Sequence, residues 1–255
     1  MRIIIHAGFH KTGTTTVQKT LQANRKILRP HCHIILRPDM VALCESARAY
    51  SVSRSQSDLA LIQYEATVLA EGWAPRGKDV VISSEDLSGH MPGRHGLMSY
   101  DATPRIINAI TQAFAAAVPD AEQILYFTTR AATPWLRSCY VQHLRAKRIT
   151  LSVDEYVADF AASANLDEII SQIATAVPDI RMIVRPLETC TSPLGPLASL
   201  LDLLGGVDTN TLTPRAPENP APPQGVLDAV LALNRSDLSD TDWRAARDAL
   251  KREGF

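Results

Sequence analysis

The sequence predicts an α/β fold with a central, mainly parallel sheet flanked by helices. Three observations carry that expectation. Short β-branched runs alternate with longer stretches of helical periodicity. Most of the short runs are nearly continuously apolar, as strands buried on both faces should be. The first of them leads through a glycine- and threonine-rich segment directly into a helix.

Strands are expected at Arg2–Ala7, His33–Arg37, Lys78–Ser83, Glu122–Thr129 and Asp179–Arg185. Between them, Leu59, Ile62, Ala66 and Leu69 recur at helical spacing, as do Ile106, Ile107, Ile110, Phe114 and Val118. The second of these helices is expected to start with Thr103 as N-cap and Pro104 at its first position. Ser152-Val153-Asp154-Glu155 reads as a capping box, and Asn165 as the cap of a helix over Leu166–Val177. Gly205 and Gly206 are expected to stop a helix that begins near Pro196. From Ser239 onward, charges of both signs suggest a solvated outer helix. Leu87–Thr103, with Gly89, Gly93 and Gly96, and Thr213–Gly225, with five prolines, read as loops, and long loops at the edge of an α/β domain often cover a site.

The chain has 255 residues, 45% of them hydrophobic and 21% charged. Those values exclude a disordered chain or a disulfide-stapled scaffold, and the length suits a single domain that needs no metal to hold its core. The net charge of -1 gives no reason to expect nucleic acid or an anionic membrane as partner. It hides a gradient, because residues 1–150 sum to +7 and residues 151–255 to -8, so an anionic ligand is expected in the first half. The apolar run at Ile3–Ile5 meets Gly8 and Lys11 too soon for a signal peptide, and no window approaches a membrane span. Cys32, Cys44, Cys139 and Cys190 form no Cys-x-x-Cys pair, as in a reducing compartment. A cytoplasmic chain without stable membrane insertion is expected.

The most informative segment runs from Ile3 through Gly8-Phe9-His10-Lys11-Thr12-Gly13-Thr14-Thr15-Thr16. Gly8 and Gly13 have the five-residue offset of a phosphate-binding P-loop, in which backbone N–H groups and a helix N-terminus cradle an anion. The expected fold is therefore a P-loop-like three-layer arrangement. A nucleotide-dependent kinase needs Lys after the second glycine, whereas here Thr14 follows Gly13 and the lysine stands earlier, at Lys11.

A glycine loop with its lysine before the second glycine, followed by a run of threonines, resembles the 5′-phosphosulfate loop of sulfotransferases that use 3′-phosphoadenosine 5′-phosphosulfate (PAPS). That family's second signature, a strand ending in Arg with a Ser eight residues on, is matched by Arg130 and Ser138 after Ile124–Thr129. The likeness extends in pattern over most of residues 2–206. It departs from the cytosolic members in lacking a C-terminal Arg-Lys-Gly motif, for which Arg215, and more weakly Asn219, is the candidate substitute. The resemblance implies that Lys11, Thr12, Gly13, Thr14, Thr15 and Thr16 hold the 5′-phosphate end of PAPS, and that Arg130 and Ser138 hold its 3′-phosphate. It also implies release of the bisphosphate PAP.

Sulfuryl transfer to a hydroxyl or amine requires a base and positive charge at the leaving phosphate. Lys11 fits the second role. Glu85, at the end of the third strand, fits the first, as in carbohydrate sulfotransferases, so the acceptor expected is a small molecule or carbohydrate. His10 inside the loop is a further catalytic candidate, and His90 and His95 are candidates for touching the acceptor. No metal is expected. Two other readings use the same residues: a kinase, and a non-catalytic nucleotide-binding protein on the same fold.

Overall fold

The computed structural model describes residues 1–74, 77–215 and 222–252, with the side chains of 251 and 252 left aside. Asn219 and the central part of the proline-rich loop lie outside the described residues. The fold is α/β, with five parallel strands in one sheet and helices on both faces. In chain order the strands are β1 (Arg2–His6), β2 (Cys32–Leu36), β3 (Asp79–Ser83), β4 (Glu122–Thr129) and β5 (Arg181–Pro186). Each lies within two residues of its expected ends, the usual uncertainty of element boundaries.

The helices are α1 (Thr14–Ala23), α2 (Arg25–Leu28), α3 (Val41–Ser53), α4 (Gln56–Trp73), α5 (Thr103–Ala117), α6 (Ala132–Ala146), α7 (Val153–Asp159), α8 (Leu166–Ala176), α9 (Pro196–Leu201), α10 (Gln224–Arg235) and α11 (Asp240–Arg252). The expected caps of α7 and α8 are present. Ser152 Oγ accepts from Glu155 N while Glu155 Oε2 accepts from Ser152 N, and Asn165 Oδ1 accepts from Glu168 N. Ser239 Oγ caps α11 by accepting from Asp242 N.

Three expectations need correction, and one helix was not foreseen. Thr103 is the first helical residue of α5, not its cap, because the Ser88 carbonyl lies within reach and Thr103 Oγ1 donates to it at 2.8 Å. Gly225 belongs to α10 and not to the loop before it. One side of α11 is held to the body, since Trp243 is buried and donates its indole N–H to Asn234 Oδ1 at 2.8 Å, with Arg247 over its ring. Finally, α3 has no side-chain cap and only a weak apolar stripe, so nothing local announced it.

The strand order is β2-β3-β1-β4-β5. The central strand β1 pairs Ile4 with Val81 of β3 and with Ile124 of β4. Alternation sorts the apolar side chains onto two faces. Ile4, Val81, Ile124 and Tyr126 pack with Val17 and Leu21 of α1 and Leu197 and Leu200 of α9. Ile3, Ile5, Ile82, Leu125 and Phe127 face the opposite layer, built from α3, α4, α5, α6 and α8. The chain thus leaves β1 toward one face and leaves β3 and β4 toward the other. That divergence opens a crevice outside the carboxyl ends of the strands, the usual ligand position in open parallel sheets. Among the described residues, no helix is long and apolar enough to cross a membrane.

Ile4 is fully buried in the central strand, so Ile4→Ala is expected to lower the unfolding free energy by about 3 to 4 kcal/mol. Ile27→Ala, at a position 43% exposed, is expected to change it by less than about 0.5 kcal/mol. Urea denaturation of the two variants checks both values.

Candidate active site

The loop from Gly8 to Gly13 reverses the chain between β1 and α1 with three residues at positive φ: Gly8 at 49°, Lys11 at 67° and Gly13 at 93°. Four of its carbonyls are occupied by side-chain donors, three of them from outside the loop. Ser88 Oγ donates to Gly8 O at 2.7 Å, Thr12 Oγ1 to Phe9 O at 2.7 Å, Trp135 Nε1 to His10 O at 2.9 Å and Arg130 Nη1 to Lys11 O at 3.3 Å. Among the described residues, nothing accepts from the N–H groups of Gly13, Thr14, Thr15 or Thr16. The first turn of α1 has no side-chain cap and no acidic residue. Unpaired donors at a helix start, together with the positive end of the helix dipole, make an anion site.

Both glycines are required by space as well as by φ. A Cβ on Gly8 meets Thr14 Cγ2 at 2.5 Å, and one on Gly13 meets Leu187 Cδ1 at 2.9 Å. Beneath the loop, burial pushes the His6 imidazole down to about 4, so a neutral ring bonded to Ser83 Oγ at 2.8 Å supports Gly8. Thr12 differs from its neighbours. Its hydroxyl is fully buried between Phe9 O and Thr128 Oγ1, which makes it a clamp from the loop to β4 rather than a ligand-facing side chain.

A cleft of about 720 Å³ opens above the loop. It brings together Lys11, Gly13, Thr14, Thr15, Thr16 and His10 with Glu85, Arg130, Ser138 and Arg215, which are far apart in the chain. Arg130 follows β4 directly, and Ser138 lies in the second turn of α6, so β4 and its helix aim both at the same space. Arg215 is exposed. Burial pushes the Lys11 ammonium below the ordinary lysine value, with Arg145 and Arg130 adding to the effect and Glu85 opposing it. A cluster of cations around a half-buried lysine favours a bound anion.

The two carboxylates after β3 have different surroundings. Asp86 Oδ2 accepts from Arg37 Nε at 2.6 Å, and Asp86 Oδ1 lies 3.8 Å from His10 Nε2. Burial works against ionisation of Asp86, yet His10 beside it and the bonded Arg37 hold the carboxyl down at about 2. The other ring nitrogen of His10 meets Tyr100 Oη at 2.9 Å. His10 is therefore engaged on both sides, in a chain from Arg37 through Asp86 to Tyr100, and its geometry is that of a positioning residue. Glu85 is half-buried and bonded by a neutral group, the Gln18 side-chain amide at 2.5 Å. Of the pair, Glu85 is the carboxylate left open to the cleft.

His90 lines the cleft, whereas His95 is exposed with its ring 4.5 Å from that of His90. Trp135 and Tyr140 are buried in the core. Sequence reading missed Ser88, Tyr100 and Gln18, which shape the loop and the Glu85 carboxylate, and Arg48 and Arg94, which line the cleft. None stands at a fixed spacing from a motif, and the helix carrying Arg48 was itself unrecognised. Among the described residues, no three His, Cys, Asp or Glu side chains gather as metal ligands do.

Gly8→Ala is expected to destabilise by about 2 to 4 kcal/mol, combining the backbone cost with the clash. Gly205→Ala, at φ 67° in open space, is expected to cost only about 1 kcal/mol, and denaturant titration separates the two. The low Asp86 carboxyl pKa contributes roughly 2 kcal/mol of stability that is complete above its unfolded value of 3.8 and lost as pH falls toward 2. Asp86→Asn is expected to flatten the stability profile in that acid window, as followed by pH-dependent unfolding.

No protein-family model matches the chain, and no curated protein sequence matches it.

Proposed function

We propose that this chain is a sulfotransferase that takes PAPS as donor and a hydroxyl- or amine-bearing small molecule or carbohydrate as acceptor. The observation that carries the reading is the meeting, in one cleft, of two anion sites distant in sequence, with an open carboxylate beside them. One is the head of α1 with Lys11, the other is Arg130 with Ser138, and the carboxylate is Glu85. A donor with phosphate groups at both its 5′ and 3′ positions needs two such sites, and the fork of Arg130 with the Ser138 hydroxyl suits a dianionic phosphate.

When bound, PAPS supplies an activated sulfuryl group whose S–O bond to the 5′-phosphate breaks as the acceptor oxygen or nitrogen bonds to sulfur. In this reading the N–H groups at Gly13–Thr16 hold the 5′-phosphate, and Lys11 meets the negative charge that grows on it. Glu85 takes the acceptor's proton, its carboxylate oriented by Gln18. His10, Tyr100 and Asp86 keep the loop and the third-strand corner in register. Arg215 is assigned to the donor's nucleoside end. A cytoplasmic setting accords with four free cysteines, three of them buried.

Thermal-shift titration tests the reading. PAP at about a hundred times its dissociation constant is expected to stabilise the protein by about 2.7 kcal/mol, on the order of 5 to 10 °C. 5′-AMP is expected to give a smaller shift, and Arg130→Ala to erase the difference between the two. Glu85→Gln is expected to keep the PAP shift while lowering turnover at least about 100-fold. A larger response to ATP with magnesium points instead to a kinase, and full biological activity in Glu85→Gln points to a non-catalytic nucleotide-binding protein.

A further inference from the structure

The donor reading leaves one corner of the cleft unused. Arg48 from α3 and His90, Met91 and Arg94 from the segment after β3 line it, on the side of Glu85. The Arg48 guanidinium donates through Nε to His90 Nδ1 at 3.4 Å, and through Nη1 to Glu45 at 3.1 Å. An arginine Nε always carries its proton, so His90 Nδ1 is the lone-pair nitrogen and His90 Nε2 carries the N–H. Arg94 is half-buried, and among the described residues its side chain makes no hydrogen bond and no ion pair. Glu45 is 51% exposed and is shared with Arg37 at 2.7 Å. Of the two carboxylates in the cleft, Asp86 is bonded to Arg37 and the other is Glu85. The corner therefore offers two guanidinium groups and an imidazole N–H to the cleft; Arg48 meets Glu45, which it shares with Arg37, and lies near Asp86, whereas among the described residues Arg94 has no carboxylate bonded to it.

The segment presenting these groups is pinned at several points. His90 N donates to Ser51 Oγ at 3.0 Å, Gly93 N to Leu97 O at 2.7 Å and Lys147 Nζ to Gly93 O at 2.9 Å. A Cβ on Gly93 would lie 2.4 Å from His143 Cε1, so the turn at Arg94 sits directly on a buried ring. An arginine on the wall of a cleft, with no protein counterion among the described residues, keeps its donors for an anionic ligand.

Building on the transferase reading, we infer that the acceptor is itself an anion: a hydroxyl compound carrying a carboxylate, phosphate or sulfate group that Arg48, Arg94 and His90 bind while its hydroxyl faces Glu85. The corner selects charged acceptors over their neutral counterparts, since a guanidinium fork matched to an oxyanion discriminates by charge and by geometry.

Calorimetric titration of the PAP-saturated protein with inorganic phosphate, glucose 6-phosphate and glucose tests this. Phosphate and glucose 6-phosphate are expected to bind saturably, and glucose at least tenfold more weakly. Arg48→Ala combined with Arg94→Ala is expected to weaken both anions at least tenfold while changing PAP affinity less than twofold. Arg48→Lys with Arg94→Lys, which keeps the charge and guards against a folding defect, is expected to retain part of the anion affinity. Absence of anion binding, equal binding of glucose and its 6-phosphate, or anion binding untouched by the alanine pair overturns the proposal. If PAP itself fails to bind, the transferase reading falls. The same titration of the unloaded protein then still decides whether the Arg48–Arg94 corner holds an anion, because only a site there makes phosphate binding sensitive to the alanine pair.

Discussion

The site depends on how the carbonyl oxygens of the loop after β1 are held. A chain reversing direction in six residues can present either its N–H groups or its C=O groups to the space it encloses, and carbonyls there would repel an anion. Here the carbonyls of Gly8, Phe9, His10 and Lys11 are each taken up by a donor, three of them from the residue after β4, from α6 and from the segment after β3. The donors at the head of α1 are left facing the cleft. The positive φ angles of Gly8, Lys11 and Gly13 are the local cost of that arrangement, and the surrounding bonds hold the strained conformation in place.

The same contacts couple the loop to the catalytic candidates. Trp135, which bonds the His10 carbonyl, sits one turn before Ser138 on α6, and Arg130, which bonds the Lys11 carbonyl, lines the cleft as well. Ser88, which bonds Gly8, follows Glu85 in the same short turn after β3. The loop, the strand-end arginine and the strand-end carboxylate are thus set relative to one another by direct hydrogen bonds. The parallel sheet brings the three strand ends to one edge, and these bonds complete the alignment.

Charge is distributed unevenly around the cleft. Asp86 is paired with Arg37 and has His10 beside it, and Glu85 is met by an amide rather than a cation. Lys11, Arg130, Arg48, Arg94 and Arg215 face the cleft in excess of the carboxylates that do. Four of these five, all but Arg215, come from the positive first half of the sequence and gather where the strands end.

The amino-acid sequence by itself determined what is local. The continuous apolar runs of the strands, the Gly8–Gly13 loop leading into α1, the offset of Arg130 from Ser138 and the caps at Ser152 and Asn165 involve residues a few positions apart, so pattern and spacing reveal them. The tertiary structure alone decided the rest. Thr12 turns inward because Thr128, distant in the chain, lies against it, and Asp86 rather than Glu85 is consumed because Arg37 reaches it from the end of β2. His10 becomes a positioning group through Tyr100, and α3, invisible as a pattern, delivers Arg48 to the cleft. Such pairings join residues tens of positions apart, and no spacing rule encodes them. They exist because five parallel strands, placed in the order β2-β3-β1-β4-β5, end side by side.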